Sequence, residues 1–326
     1  MMKIDAVITW VDGRDVKHCE KRRKWATPDE LRAPDKAGDV RFANVGEIFW
    51  CVASLNRFAS WLNRIYIVTD AQNPHLDDFL AANFQEGHIP IEIVDHTVIF
   101  RDYEECLPIF NSVSIETMTW RIPGLSDFFI EFNDDFILSA PESPQDFFTD
   151  DGKIICYAER ALLPVTRLTR KFKPRETVTT KHLQANGASL AGNRWSYFRY
   201  SHCPRALRRD FYERYFTTNP QHLRRNIMYR FRNVGQFSPE ELQCVSLLKD
   251  GKCIIRPYND ILWFFQPNGS RRYFERKFNL LQRFEGKFIC LNSIETAETS
   301  QQELIMRWLE KRLSVTLGVG GEQKKY

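Results

Sequence analysis

The sequence predicts an α/β fold: a doubly wound, mostly parallel sheet core followed by a basic, mainly helical C-terminal half. Three observations predict it. Short apolar runs alternate with segments of helical periodicity over about the first 140 residues. Each of the four strand-like runs there ends directly in a carboxylate, and after about residue 150 the alternation gives way to segments rich in Arg, Phe, Tyr and Trp. At 326 residues, 43% of them apolar, the chain can bury a substantial core.

In chain order, the first strand is the unbroken run Ile4 to Val11, of the kind expected where a parallel strand is covered on both faces. Gly46–Ala59 carries Ile48, Val52, Leu55 and Phe58 at helical spacing. Arg64–Thr69, Ile89–Val94 and Phe128–Phe132 are the next strands, and Asn111–Trp120 reads as a helix stopped by Pro123-Gly124. Beyond residue 150, Arg160–Thr180, with Arg167, Arg170, Lys171, Lys173 and Arg175, reads as a mobile basic loop. His202 stands ahead of an expected helix carrying Arg205, Arg208 and Arg209. Ser270–Leu281 reads as a basic amphipathic helix. Ser300-x-x-Glu303 reads as a capping box opening a last helix with Leu304, Trp308, Leu309 and Leu313 inward. The expected division is 1–150, 151–317 and a disordered tail at 318–326.

Charge is unevenly divided. Residues 1–150 carry 14 Lys and Arg against 26 Asp and Glu, and residues 151–326 carry 32 against 16. A cleft between such halves has one wall suited to a metal and one suited to phosphates. The eight cysteines are scattered singly without zinc-type spacing, as expected of reduced core thiols in a cytoplasmic protein. The N-terminus lacks the pattern of a signal peptide, and no apolar run approaches the roughly 20 residues of a membrane span.

The candidate chemistry follows from position. In an open parallel sheet the carboxyl ends of the strands border the ligand crevice, so Asp12 with Asp15, Asp70, Asp95 and the pair Asp134-Asp135 converge on one rim. Any one of them is equally explained as a turn or cap residue. Asn133-Asp134-Asp135, enclosed by aromatic and aliphatic residues, offers hard oxygen ligands for Mg²⁺ or Mn²⁺. His202 either takes a proton from an attacking hydroxyl or is structural, and Arg230 and Arg232 either neutralise phosphate or flank a buried Phe231. The basic, aromatic second half also admits a non-enzymatic polyanion binder, against which the strand-end acids argue by repelling a phosphate backbone.

Several runs resemble the Stealth family, which contains capsule polysaccharide phosphotransferases. They are Ile4-Asp-Ala-Val-Ile-Thr-Trp-Val-Asp-Gly-Arg-Asp15, then Ile65-Tyr-Ile-Val-Thr-Asp-Ala-Gln72, Ile93-Val-Asp-His96, Leu107-Pro-Ile-Phe-Asn-Ser112 and Arg121-Ile-Pro-Gly-Leu-Ser126 leading to Asn133-Asp-Asp135. His202-Cys-Pro204, Tyr229-Arg-Phe-Arg232 and Phe288-Ile-Cys-Leu-Asn292 fall where later signatures are expected. Asn44-Val45 before Gly46-Glu47, and Asn292-Ser293, depart from the family's acidic pattern.

The resemblance implies a glycosyltransferase-A-like core, a UDP-activated hexosamine donor, a divalent metal, a phosphate-linked glycan acceptor and release of UMP. Carried over by position, Trp10, Asp12, Gly13, Asp15, Asp70 and Asn111 would bind the donor, and Asp134 and Asp135 the metal. His202 would act in catalysis with Arg232, and Arg194 as second choice, neutralising developing charge. The expected alternative is a metal-dependent glycosyltransferase releasing UDP. Nucleic acid is not an expected partner. A cytoplasmic position at the inner face of the bacterial inner membrane is implied, with peripheral contact through Lys17 and Lys21–Lys24 or with other capsule-assembly proteins.

Overall fold

A computed structural model describes residues 2–32, 42, 44–172 and 178–317. Its strands are β1 (Ile4–Thr9), β2 (Ile65–Thr69), β3 (Ile91–Asp95), β4 (Phe128–Asn133), β5 (Phe136–Leu138), β6 (Ile154–Leu162), β7 (Ser196–Tyr200), β8 (Arg205–Arg208), β9 (Cys253–Arg256), β10 (Leu262–Phe265) and β11 (Phe288–Leu291). The main sheet has the order β3-β2-β1-β4-β8, with the first four strands parallel and β8 antiparallel at the edge. Two three-stranded sheets, β10-β11-β5 and β7-β6-β9, complete the α/β fold.

The four expected N-terminal strands all form. β1 is buried from Ile4 to Ile8, and its acid, Asp5, is satisfied there by the Asn63 side chain and the Ser126 amide, both at 2.7 Å. The helix Glu47–Phe58 follows a left-handed turn at Gly46 (φ 96°). The main hydrophobic core runs from Ile4 to Val315, and strands cross the expected division at residue 150: β8 extends the main sheet and β5 pairs with β11. The part after residue 150 is richest in helix, as expected, and also supplies β6 to β11.

Four expectations change. The helix at 111–120 splits into Ser112–Glu116 and a 3₁₀ turn at Thr119–Arg121, because Thr117 and Thr119 turn their hydroxyls back onto the Val113 and Glu116 carbonyls. In place of the basic loop, β6 runs to Leu162 and a helix spans Leu163–Arg170; Lys173 and Arg175 lie outside the described residues, as does the tail at 318–326. Arg205 and Arg208 lie on β8, since the free edge of β4 takes a partner strand there, and the helix begins only at Arg209. The last helix, Thr299–Leu313, starts before Ser300 with Glu298 as its cap, and Leu304 points outward while Ile305, Leu309 and Leu313 are buried. The cysteines are free and mostly buried, as expected, and three that are far apart in sequence converge: Cys253 Sγ lies 3.7 Å from both Cys156 and Cys244.

β8 also carries a charge joint. Arg205 lies 2.9 Å from Glu240, 3.3 Å from Glu131 and 3.9 Å from Glu116, which brings β4, β8 and the helices Ser112–Glu116 and Pro239–Lys249 to one cation. Burial first, then repulsion from the neighbouring glutamates, pushes Glu116 up to about 7 and raises Glu131, while the Arg205 cation works in the opposite direction. Among the described residues no helix is long and apolar enough to cross a membrane.

Candidate active site

A cleft of about 510 Å³ opens at the carboxyl ends of β1, β2 and β4, where the strand order reverses at β1. Thr9 and Trp10, Val68 and Asp70, and Asn133 to Asp135 reach it from those strands, and Asn292 and Glu295 from the turn after β11. Glu47 enters from the first turn of its helix.

The floor is acidic. Glu47 is buried, accepts the Val45 amide at 2.8 Å and is pushed up to about 7, by burial first and then by the charges of Asp135 and Glu295. Asp134 is raised well above the usual carboxylate range by burial, Glu47 and Asp135. Burial raises Asp135 as well, against the Cys290 thiol and Asn292, which lower it; its Oδ2 accepts from Cys290 at 3.4 Å, while the buried Oδ1 has no hydrogen-bond partner among the described residues. Carboxylates that raise one another and leave a buried oxygen unpaired are the donor set a divalent cation takes. Ligand atoms of Asp135, His202 and Cys290 also lie within 4.8 Å of one another.

His202 therefore adjoins the cleft beside Asp135 without lining it. The residue is exposed, yet its ring is wedged against Phe264 at 4.9 Å and Phe136 at 6.3 Å. The crowding, with Arg205 and Arg232 near, lowers its pKa to about 4, so the ring is neutral at pH 7 and free to accept a proton. Arg232 lines the cleft and donates to Ser112 Oγ at 2.9 Å.

The other wall holds Asp70, gripped by Lys21 Nζ at 2.8 and 2.9 Å, with the buried His96 and His18. His18 lies between the rings of Phe42 and Phe110, and burial, then Arg22, lowers it to about 4.

Of the positions expected from sequence, the cleft gathers Trp10, Asp70, Asn111, Asp134, Asp135 and Arg232. Asn111 is fully buried and its amide is engaged internally, donating to Gln236 Oε1, Ser114 Oγ and the Tyr229 carbonyl while capping the Val113 amide. Asp12 and Asp15 build the turn behind the cleft: Asp12 caps the Arg14 amide and its backbone clamps Gln72, and Asp15 caps the His18 amide. Gly13 belongs to that turn because a Cβ there would sit 1.8 Å from the Phe42 carbonyl oxygen. Arg194 is exposed and away from the cleft lining. Sequence reasoning missed Glu47, Glu295, His18 and His96. For Glu47 a signal existed, an acid at a helix start after Gly46.

Fold and site together define an α/β protein with an acidic ligand cleft at the switch point of its sheet. Residues 2–27 match the model of Stealth protein conserved region 1, and residues 41–155 that of conserved region 2. With both regions present in order, the chain belongs to the Stealth family. It is 33% identical over 239 residues to the exopolysaccharide phosphotransferase SCO6021 of Streptomyces coelicolor, covering 72% of this chain and 41% of the relative. It is 38% identical over 152 residues to the capsular polysaccharide phosphotransferase WcwK of Streptococcus pneumoniae, covering 47% and 43%. It is 30% identical over 312 residues to SCO2594, an exopolysaccharide phosphotransferase of Streptomyces coelicolor, covering 94% and 50%. The chain thus spans half or less of the length of these relatives. Among solved structures, the bifunctional glycosyltransferase WbbM aligns at 11% identity over 94% of this chain and 52% of its own, with a TM-score of 0.47. The galactosyltransferase LgtC aligns at 11% identity over 84% and 82%, with a TM-score of 0.41. At that distance neither informs the chemistry.

Proposed function

We propose that this chain transfers a sugar 1-phosphate, with N-acetylhexosamine 1-phosphate as first choice, from a UDP-sugar to a glycan hydroxyl in polysaccharide assembly, releasing UMP. The observation that carries the reading is the pairing, around one cleft, of a wall of mutually repelling carboxylates with the neutral His202 and the cation Arg232. The phosphotransferase names of the relatives support it.

The acceptor hydroxyl oxygen attacks the β-phosphorus of the donor. A ring nitrogen of His202 takes the hydroxyl proton, and the bond from the β-phosphorus to the bridging oxygen breaks, so that oxygen leaves with UMP. Arg232 offsets charge on the transferred phosphoryl group. Asp134 and Asp135, with Glu47 and Glu295 beside them, would hold a divalent cation, Mg²⁺ or Mn²⁺, which supplies charge neutralisation at the diphosphate. Trp10 and Asp70 line the space left for the donor.

The test is to incubate the protein with UDP-N-acetylglucosamine, UDP-N-acetylmannosamine and other UDP-sugars, Mg²⁺ and a glycan-phosphate primer, and to separate the released nucleotides by chromatography. Metal-dependent UMP is expected. Release of UDP would instead establish glycosyl transfer on the same scaffold.

A further inference from the structure

Large apolar side chains stand exposed in one neighbourhood remote in sequence from the cleft residues. On and beside the helix Leu163–Arg170, Leu162 is 60% exposed, Val165 53%, Leu168 56% and Phe172 84%. Trp195, 74% exposed, is joined to them by the hydrogen bond from the Leu163 amide to its carbonyl at 3.0 Å. Val165, Leu168 and Phe172 recur at the spacing of one helix face, and Phe172 continues the turn through its amide's bond to the Thr169 carbonyl. The opposite side anchors the helix: Leu163 is fully buried, and Thr166 Oγ1 meets Tyr197 Oη at 3.1 Å. The outward face is therefore held in place from beneath.

Charge selects what this face meets. Between residues 160 and 200 the chain carries nine Lys and Arg and a single acid, Glu176. Arg160, Lys171 and Arg194 are exposed close in sequence to the apolar residues, Arg167 is exposed but donates to Ser189 Oγ at 3.0 Å on the anchored side, and the nearest described acid before them, Glu159, is occupied by Arg199 and Asn259. A polyanionic glycan would match the cations and leave five apolar side chains without a partner. A surface with anionic headgroups above acyl chains matches both, with Trp195 and Phe172 suited to the boundary between them.

We propose that the face formed by Leu162, Val165, Leu168, Phe172 and Trp195, with the exposed cations Arg160, Lys171 and Arg194, docks the protein peripherally on an anionic lipid bilayer. This places membrane contact away from Lys17 and Lys21–Lys24, where Lys21 is engaged by Asp70, Arg22 is buried and Trp25 lies under the Arg230 guanidinium at 4.0 Å. The proposal is independent of the reaction assigned to the cleft.

The full chain is sedimented with vesicles of phosphatidylcholine alone and of phosphatidylcholine mixed with phosphatidylglycerol. Binding to the mixed vesicles only, weakened by salt, is expected. Leu168→Ser with Phe172→Ser should weaken it about tenfold or more, and Arg160→Glu with Lys171→Glu should remove its dependence on phosphatidylglycerol. All four substitutions are at exposed positions, and an unchanged melting temperature checks that the variants are folded. Equal binding to neutral vesicles, no binding to either, or full binding by the variants would overturn the proposal. So would a dimer in solution that the Leu168/Phe172 variant converts to monomer, which would make the occupant a second copy of the chain.

Discussion

Asp135 ends a turn between two strands, with one carboxylate oxygen on a thiol and the other without a donor among the described residues. Asp134 beside it and Glu47 across from it raise each other's affinity for protons, so at neutral pH the group is stabilised by whatever positive charge enters the cleft. Mg²⁺ is therefore expected to raise the melting temperature of the protein, and the Asp134→Asn/Asp135→Asn variant should lose that rise while folding normally. Each single Asn variant, and His202→Ala, should lower turnover by roughly a hundredfold or more. A near-normal rate in a folded variant would remove that residue from the mechanism. The turn Asp12-Gly13-Arg14-Asp15 teaches a different lesson at this scale. Its acids stand at a strand end as a metal or donor site would require, yet they are spent on backbone amides, and its glycine serves a close approach of Phe42.

Among the elements, β8 does most to join the parts. It is a short edge strand from the basic half, laid against β4 from the acidic half, and its Arg205 is the cation for glutamates on β4 and two helices. Removing one partner of such a buried group leaves uncompensated charge, at a cost of about 3–5 kcal/mol. Arg205→Met should therefore lower the unfolding free energy in urea by that order. A loss below about 1 kcal/mol would mean that the surrounding glutamates do not need the guanidinium as counter-ion in the fold.

Over the whole molecule, acidic and basic halves share one core, and stability depends on buried groups of both kinds. His18 titrates at about 6.5 when unfolded and about 4 when folded, so its contribution is full above pH 6.5 and is lost as pH falls through 4, up to about 3 kcal/mol. Glu47 has the opposite sign. Its folded value is raised, so its contribution is full below its unfolded value near 4.5 and is lost as pH rises through about 7. Replacing His18 by Phe removes the first dependence, so the stability difference between wild type and His18→Phe, from urea unfolding, should move toward the variant as pH falls from 6.5 to 4. A difference that is constant over that range would show that His18 is not desolvated.

The sequence by itself determined the parallel strands and the helix behind them, because an apolar run covered on both faces and an apolar stripe at helical spacing are local patterns with one outcome each. It also determined that Asp70 and Asp134-Asp135 border one cleft, since strand ends in a parallel sheet share one edge. Only the tertiary structure decided which acids face the cleft and which cap turns, that Glu47 and Glu295 complete the acidic wall, that Arg205 is a buried joint, and that Arg194 lies elsewhere. Those outcomes depend on partners far apart in the chain. A carboxylate or guanidinium reads the same in sequence whether its counter-charge is a backbone amide, a buried glutamate or a ligand.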